Sequence, residues 1–295
     1  MSEHLTYELF GCEDSYWCIS GPNAGEQGVE LAPKPSKLMD APVKTLWSKS
    51  AFGEKYEGKK RLRRDPVLAL DIEGEDPDHW RGVDSRIRMA FDYDRQSRIR
   101  ATTADGVRDL WVRLLEDPEQ TTQDGKDPHL FAQSRLTCKL AAEFPNWQAK
   151  VTTASWTLPS GTSGTGYLPV YNDGDVEIWL DYVCTGPKGI YTLPDFSFKN
   201  DVAAARTVPL PELVPTDGDL TVRTMQSEEP LITTNRTPIW NRWNGNGFLF
   251  PIPPFTGTKK DPIMLPVSVK NGIAGVSTVQ VRNPHWYSRP MGVKR

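Results

Sequence analysis

DVEIWLDY, residues 175–182, sets Val176, Ile178, Leu180 and Tyr182 on one face of an extended chain, with Glu177, Trp179 and Asp181 on the other. A period of two residues marks a strand with one face in a core. The pattern recurs downstream. Asp217-Gly218 precedes Leu220 and Val222, and Asn271-Gly272 separates Val267 and Val269 from Val279 and Val281. Asp-Gly and Asn-Gly accept the positive φ that tight hairpin turns require. Short alternating runs punctuated in this way indicate a β-sandwich.

Upstream the reading is again mainly β. RIRATTADGVRDLWVRLLEDP (98–118) alternates through Ile99 and Ala101, offers Asp105-Gly106 as a hairpin turn, and alternates again through Leu110, Val112 and Leu114. Leu68, Leu70 and Ile72 form a further face, as do Leu136, Cys138 and Leu140. Residues 1–30 read as a loop or a short strand pair, and the prolines of 31–47 as an extended segment. DHWRGVDSRIRMAFDYD (78–94) fits two periods. Trp80, Val83, Ile87 and Phe91 suit a helix, while Ile87, Met89, Phe91 and Tyr93 suit a strand. Gly82 weakens a long helix, and Asp84 fits the cap of a shorter one.

The chain has 295 residues, a net charge of −3 and 25 prolines, which favours short strands and ordered loops in about two domains. WTLPSGTSGTGYLP (156–169) is rich in Gly, Ser and Thr and carries no charge. It places the expected boundary: an N-terminal domain over 1–155, a linker over 156–168 and a C-terminal domain over 169–295. The N-terminus shows no basic patch followed by an apolar core, and no apolar run approaches membrane-spanning length. Neither a signal peptide nor membrane insertion is expected. Cys12, Cys18, Cys138 and Cys184 read as reduced thiols, although Cys12 and Cys18 are close enough in sequence to bridge.

Catalytic and ligand templates are not met. The chain has no G-x-S-x-G elbow, Walker loop, H-E-x-x-H motif or dinucleotide fingerprint, and its cysteine and histidine spacings fit no zinc site. YNDGDVE (171–177) has the opening of a calcium loop without its later ligands. Glu177 and Asp181 share a strand face about 13 Å apart, beyond the spacing of a glycosidase pair. No catalytic residue, cofactor or metal is expected.

Two clusters remain as contact candidates. NRTPIWNRWNGNGFLFPIPPF (235–255) joins Trp240 and Trp243 to a polar turn. The indoles either pack between sheets or, with Asn241, Arg242 and Asn244, face a partner or a glycan. Pro251, Pro253 and Pro254 lack amide donors, so PIPPF is an edge or a strap. KKRLRR (59–64) supplies Arg61, Arg63 and Arg64, read as a solvated strand or a charged contact between subunits rather than a nucleic-acid patch, since the rest of the chain is not basic.

These segments, taken in order, resemble siphophage distal tail proteins, often called minor tail proteins in phages of actinobacteria. YNDGDVEIWLDYVCTGP…LPDFSF (171–198), RTVPLPEL (206–213), NRTPIWNRWNGNGFLFPIPP (235–254) and LPVSVKNG…VQVRNPHWYSRPMG (265–292) are similar to that family's C-terminal domain. GVELAPKP (28–35), APVKTLW (41–47), RRDPVLALDI (63–72) and SRIRMAFDYD (85–94) are similar to the N-terminal half. The first 25 residues match less well, and nothing is carried onto them.

The resemblance implies an N-terminal ring-forming β-domain with one helix, at Val83–Phe91, and a C-terminal galectin-like β-sandwich. It implies a homo-oligomeric, usually hexameric ring at the distal end of the tail tube, in the virion tail tip, assembled in the host cytoplasm. The ring continues the channel, so DNA meets it only in transit. Partners would be the tail tube protein, tape measure protein, tail hub and other minor tail proteins. An alternative is a tail-tip carbohydrate-binding module that engages host-envelope glycans; a cell-wall hydrolase is a third reading, and the family carries no catalytic residues.

Overall fold

The computed structural model describes residues 5–122 and 127–292. The chain forms two compact units. The first is Met1–Ala149 joined by Tyr287–Val293; the second is essentially Lys150–Trp286. The division therefore falls earlier than the expected linker, and the chain returns to the first unit near its end. Trp147–Thr157 and Thr278–Tyr287 are continuous strands through these crossing points. The Gly/Ser/Thr-rich segment is partly strand too, over Gly164–Val170.

The first unit is built from Thr6–Phe10 (β1), Tyr16–Ser20 (β2), Val29–Leu31 (β3), Val43–Ser50 (β4), Gly53–Arg61 (β5), Val67–Glu73 (β6), Ser97–Thr103 (β7), Gly106–Leu114 (β8), Glu119–Thr121 (β9), Gln133–Ala141 (β10) and the start of Trp147–Thr157 (β11). The pairings among the described residues are antiparallel: β1 with β2 and β7, β7 with β8, β10 with β6, β8 and β9, β3 with β6, β11 with β8, and β4 with β5. Leu68, Leu70 and Ile72 of β6 and Leu136, Cys138 and Leu140 of β10 point into one core with Ile99, Leu110, Val112 and Trp147. Each such fully buried aliphatic side chain contributes about 1.5–3 kcal/mol. The β7–β8 turn is Ala104-Asp105, one residue before the expected pair, and Gly106 opens β8 at φ +113° opposite Thr103.

Pro77–Met89 (α1) settles the ambiguous segment as a helix. It starts before the expected Val83 because Asp76 caps it: the carboxylate accepts from His79 N at 2.7 Å, and Pro77 follows at the first helical position. Trp80, Val83 and Ile87 lie on its buried face. Gly82 is tolerated, and Asp84 pairs with Arg88 at 2.8 Å instead of capping. Pro128–Phe131 (α2) adds one short turn.

The second unit is a sandwich of two antiparallel sheets. One runs Gly164–Val170 (β12), Ile263–Lys270 (β18), Ile190–Pro194 (β14) and Thr207–Pro209 (β15). The other runs Leu231–Thr233 (β17), Leu220–Arg223 (β16), Asp181–Thr185 (β13) and Thr278–Tyr287 (β19), then the rest of β11. Leu168, Tyr191, Val267 and Val269 from the first face Tyr182, Val222, Val279 and Val281 from the second in one core. Val176, Ile178 and Leu180 are buried as their alternation requires, yet ladder pairing starts only at Asp181. The missing partners are explained by PIPPF. Ile252 alone of that segment bridges to Ile178, and its proline neighbours bring no amide.

Candidate interaction surfaces

The β4–β5 hairpin pairs with no other strand among the described residues. An isolated two-stranded ribbon is marginal in water, so its own side chains matter. Its turn is Ala51-Phe52, closed by Ser50 opposite Gly53 at φ +117°. Phe52 is fully exposed. Trp47 and Tyr56 face each other across the strands with ring centroids 5.3 Å apart, and both are about half exposed. Val43 and Leu46 are also exposed.

Charge on the hairpin is lopsided. Lys44, Lys49, Lys55, Lys59, Lys60 and Arg61 oppose only Glu54 and Glu57, a net of +4 in a chain of net −3, leaving −7 elsewhere. Lys44 and Lys60 sit directly opposite each other. Like charges in that position weaken a ladder. The ribbon thus carries both exposed aromatic area and unneutralised positive charge.

The three arginines named from the sequence part ways here. Arg61 closes the hairpin and reaches Asn146 Oδ1 at 3.4 Å. Arg63 is exposed and donates to Asp65 at 2.7 Å. Arg64 is corrected: it is wholly buried and donates to the carbonyls of Leu38 at 2.8 Å, Met39 at 3.3 Å and Ser288 at 2.7 Å. Burial pulls its pKa down to about 10, so it remains a cation at neutral pH, spent on its own unit. A side chain with no exposure offers nothing to a neighbour.

The tryptophan segment of the second unit divides in the same way. Ile239–Arg242 is a short 3-10 helix. Arg242 is tied to Asp217 at 2.7 and 2.8 Å and to Glu212 O at 3.0 Å, an internal brace rather than a free surface cation. Trp243 packs on the core, its indole N–H donating to Pro209 O at 3.0 Å. Trp240 instead stays 58% exposed. With Trp243, Asn241, Asn244, Gly245, Asn246 and the 229–231 segment it lines an open cleft of about 700 Å³. Of the residues that the sequence points to, Trp240, Asn241, Trp243 and Asn244 line it, and Asn246 and Glu229 join them. The Asn-Gly-Asn-Gly run over 244–247 is the sequence signal for Asn246.

YNDGDVE also has a structural role. Asn172 is fully buried; its amide donates to Val176 O, Ile252 O and Pro253 O at 2.8–3.2 Å, and its carbonyl accepts from Gly174 N at 3.1 Å. Among the described residues no cluster of His, Cys, Asp or Glu is arranged to hold a metal. A hydroxyl–imidazole–carboxylate chain does occur, with Thr152 Oγ1 3.0 Å from His285 Nε2 and Asp173 3.4 Å from Nδ1. The imidazole is buried and lies against the Tyr171 ring at 4.7 Å, so this group packs the sheet.

No family model matches the chain. It is similar to Minor tail protein Gp27 of Mycobacterium phage D29, 26% identical over 92% of this chain and 94% of that protein. Minor tail protein Gp27 of Mycobacterium phage L5 is likewise 26% identical, over 79% and 84%. Among solved structures, the SPP1 Dit (gp 19.1) protein superposes with a TM-score of 0.61 at 12% identity, covering 95% of this chain and 99% of that one. A chain of the phage P2 baseplate in its activated, Ca-bound conformation gives 0.53 at 9%, covering 96% and 98%.

The chain has the fold of the SPP1 Dit protein and resembles mycobacteriophage minor tail proteins.

The chain is mainly β, as its alternation indicates. The sequence relatives are named minor tail proteins, and the solved structures share the fold. The Thr152–His285–Asp173 chain is accordingly read as packing.

Proposed function

We propose that this chain is a phage tail protein that closes into a homo-oligomeric ring, hexameric by its resemblance, at the distal end of the tail tube. The ring joins the tube to the baseplate and the receptor-binding proteins and continues the channel through which DNA passes. The first unit, residues 1–155 in the expected division, forms the ring; the galectin-like second unit meets other baseplate proteins. The description of SPP1 Dit as a paradigm of a hub adsorption apparatus supports this placement.

The observation that carries the reading is the β4–β5 hairpin. A solitary ribbon bearing Trp47, Phe52 and Tyr56 in the open, with a +4 charge in an acidic chain, is stable and soluble as a joint. Head-to-tail contacts of one such arm on the next copy close when the rotation fits a cyclic group. Permanent interfaces of this kind often bury over ~2,000 Å². Arg61 and Arg63 extend the same basic face; Arg64 does not.

Electron microscopy of intact particles tests the placement. The expected result is density for this chain in a cyclic ring at the tube's distal end, with mass photometry of extracted tips giving a closed oligomer. Location along the tube wall, or particles that assemble complete infectious tails without the chain, would refute it.

A further inference from the structure

We infer that the Trp240 cleft is a binding site for a neutral, polyhydroxylated saccharide. The cleft lies in the second unit, on elements apart from the hairpin. Its chemistry has three parts. Trp240 is an apolar plate left 58% exposed beside a second indole, Trp243, that is fixed by Pro209 O. Such a plate stacks on the C–H face of a pyranose or furanose ring, burying apolar area that a peptide strand would cover poorly.

The rim supplies the polar half. Asn241, Asn244 and Asn246 are exposed, and each amide has two donors and an acceptor for vicinal hydroxyls. Glu229 lines the same cleft and adds a carboxylate that accepts from hydroxyls. No Lys or Arg lines it, and the nearby Arg242 is committed to Asp217. Charge complementarity therefore disfavours phosphate, sulfate or uronate and selects a neutral hydroxylated ligand. The floor is held in shape: the Arg242–Asp217 brace fixes the 3-10 helix, and Gly245 turns the loop at φ +69° with open space around it.

The test uses the full-length chain. Neutral oligosaccharides of glucose, galactose, mannose and arabinose, with glucuronate-containing and sulfated counterparts, are titrated by calorimetry and saturation-transfer NMR. At least one neutral member should bind, with saturation transfer strongest at ring C–H protons. Trp240→Ala should weaken that binding about tenfold or more, the scale of one lost stacking contact. Asn244→Ala should weaken it several-fold. Both residues are exposed, so thermal melting should not move. Failure of every neutral member to bind, a preference for the acidic members, or undiminished binding by Trp240→Ala would each overturn the proposal. Docking of a purified tail protein that is lost in Trp240→Ala while no saccharide binds would also overturn it, assigning the cleft to protein. Ring assembly is scored separately, so loss of the site and loss of the ring reading remain distinct.

Discussion

Arg242 Nη2 donates to both carboxylate oxygens of Asp217, at 2.8 and 2.7 Å, while Asp217 is itself 1% exposed. Burial pushes the Asp217 pKa up, but the bonds from Arg242, Thr237 Oγ1 and Val214 N outweigh it and hold the group below the usual carboxylate range. A depressed folded pKa means that the stabilisation is complete above the unfolded value of about 3.9 and fades as pH falls through the folded one. Urea unfolding followed at neutral pH and near pH 3 should show this loss, and Asp217→Asn should blunt it. Arg242→Ala should cost about 2–3 kcal/mol at neutral pH, less than a wholly buried pair because the guanidinium is partly exposed. An unchanged midpoint in Arg242→Ala would show that the brace is dispensable.

Asn172 supports a second prediction. Its amide faces three carbonyls at 2.8–3.2 Å in a site without exposure. Asn172→Ala strands those acceptors, at about 1–3 kcal/mol. Asn172→Asp should be worse, since a carboxylate then faces carbonyl oxygens with no donor to offer. The order, parent above Ala above Asp, is read from denaturation midpoints. An aspartate variant as stable as the parent would contradict it.

Thiol chemistry follows burial. Cys138 is fully buried and its pKa is pushed up to about 12; burial raises Cys184 further still. Cys18 is raised as well and is almost fully buried, whereas Cys12 is only partly covered. Because the thiolate is the reacting species, native protein at pH 8 should label at Cys12 alone, and slowly. All four cysteines should label in denaturant. Rapid native labelling of Cys138 or Cys184, followed by mass spectrometry, would show that these cores open.

Much of the fold was legible because period-two alternation survives wherever a strand has one wet face. Leu68–Ile72, Leu136–Leu140 and Val176–Tyr182 are buried in phase with it. The helix starts six residues before the Val83 that the resemblance implies, because the Asp76-Pro77 pair supplies the cap and the first helical residue. Side-chain destinations were less legible. Arg64 and Arg242 read as surface cations by type, and only tertiary placement revealed the carbonyls and carboxylate they serve. The β4–β5 ribbon is not legible as a hairpin, only its start falling in a segment that reads as extended, because Val43–Arg61 lacks a buried face and so lacks alternation.

That ribbon yields the last prediction. Lys44 and Lys60 repel each other across it, so an acidic partner surface relieves strain that the monomer retains. Lys44→Glu together with Lys60→Glu should leave monomer stability within about 0.5 kcal/mol, as for exposed sites generally. The pair should nevertheless sharply lower the yield of complete tails in a complementation assay. Trp47→Ala should also lower that yield, through lost apolar contact. Salt separates the two causes. At about 1 M ionic strength the screening length shrinks to ~3 Å, so assembly resting on charge weakens while aromatic contact persists. Assembly by the parent should therefore be partly salt-sensitive, and assembly by the double glutamate variant should be poor at every salt concentration. Tails built normally by both the charge-reversed and the Trp47→Ala proteins would remove the hairpin from the interface.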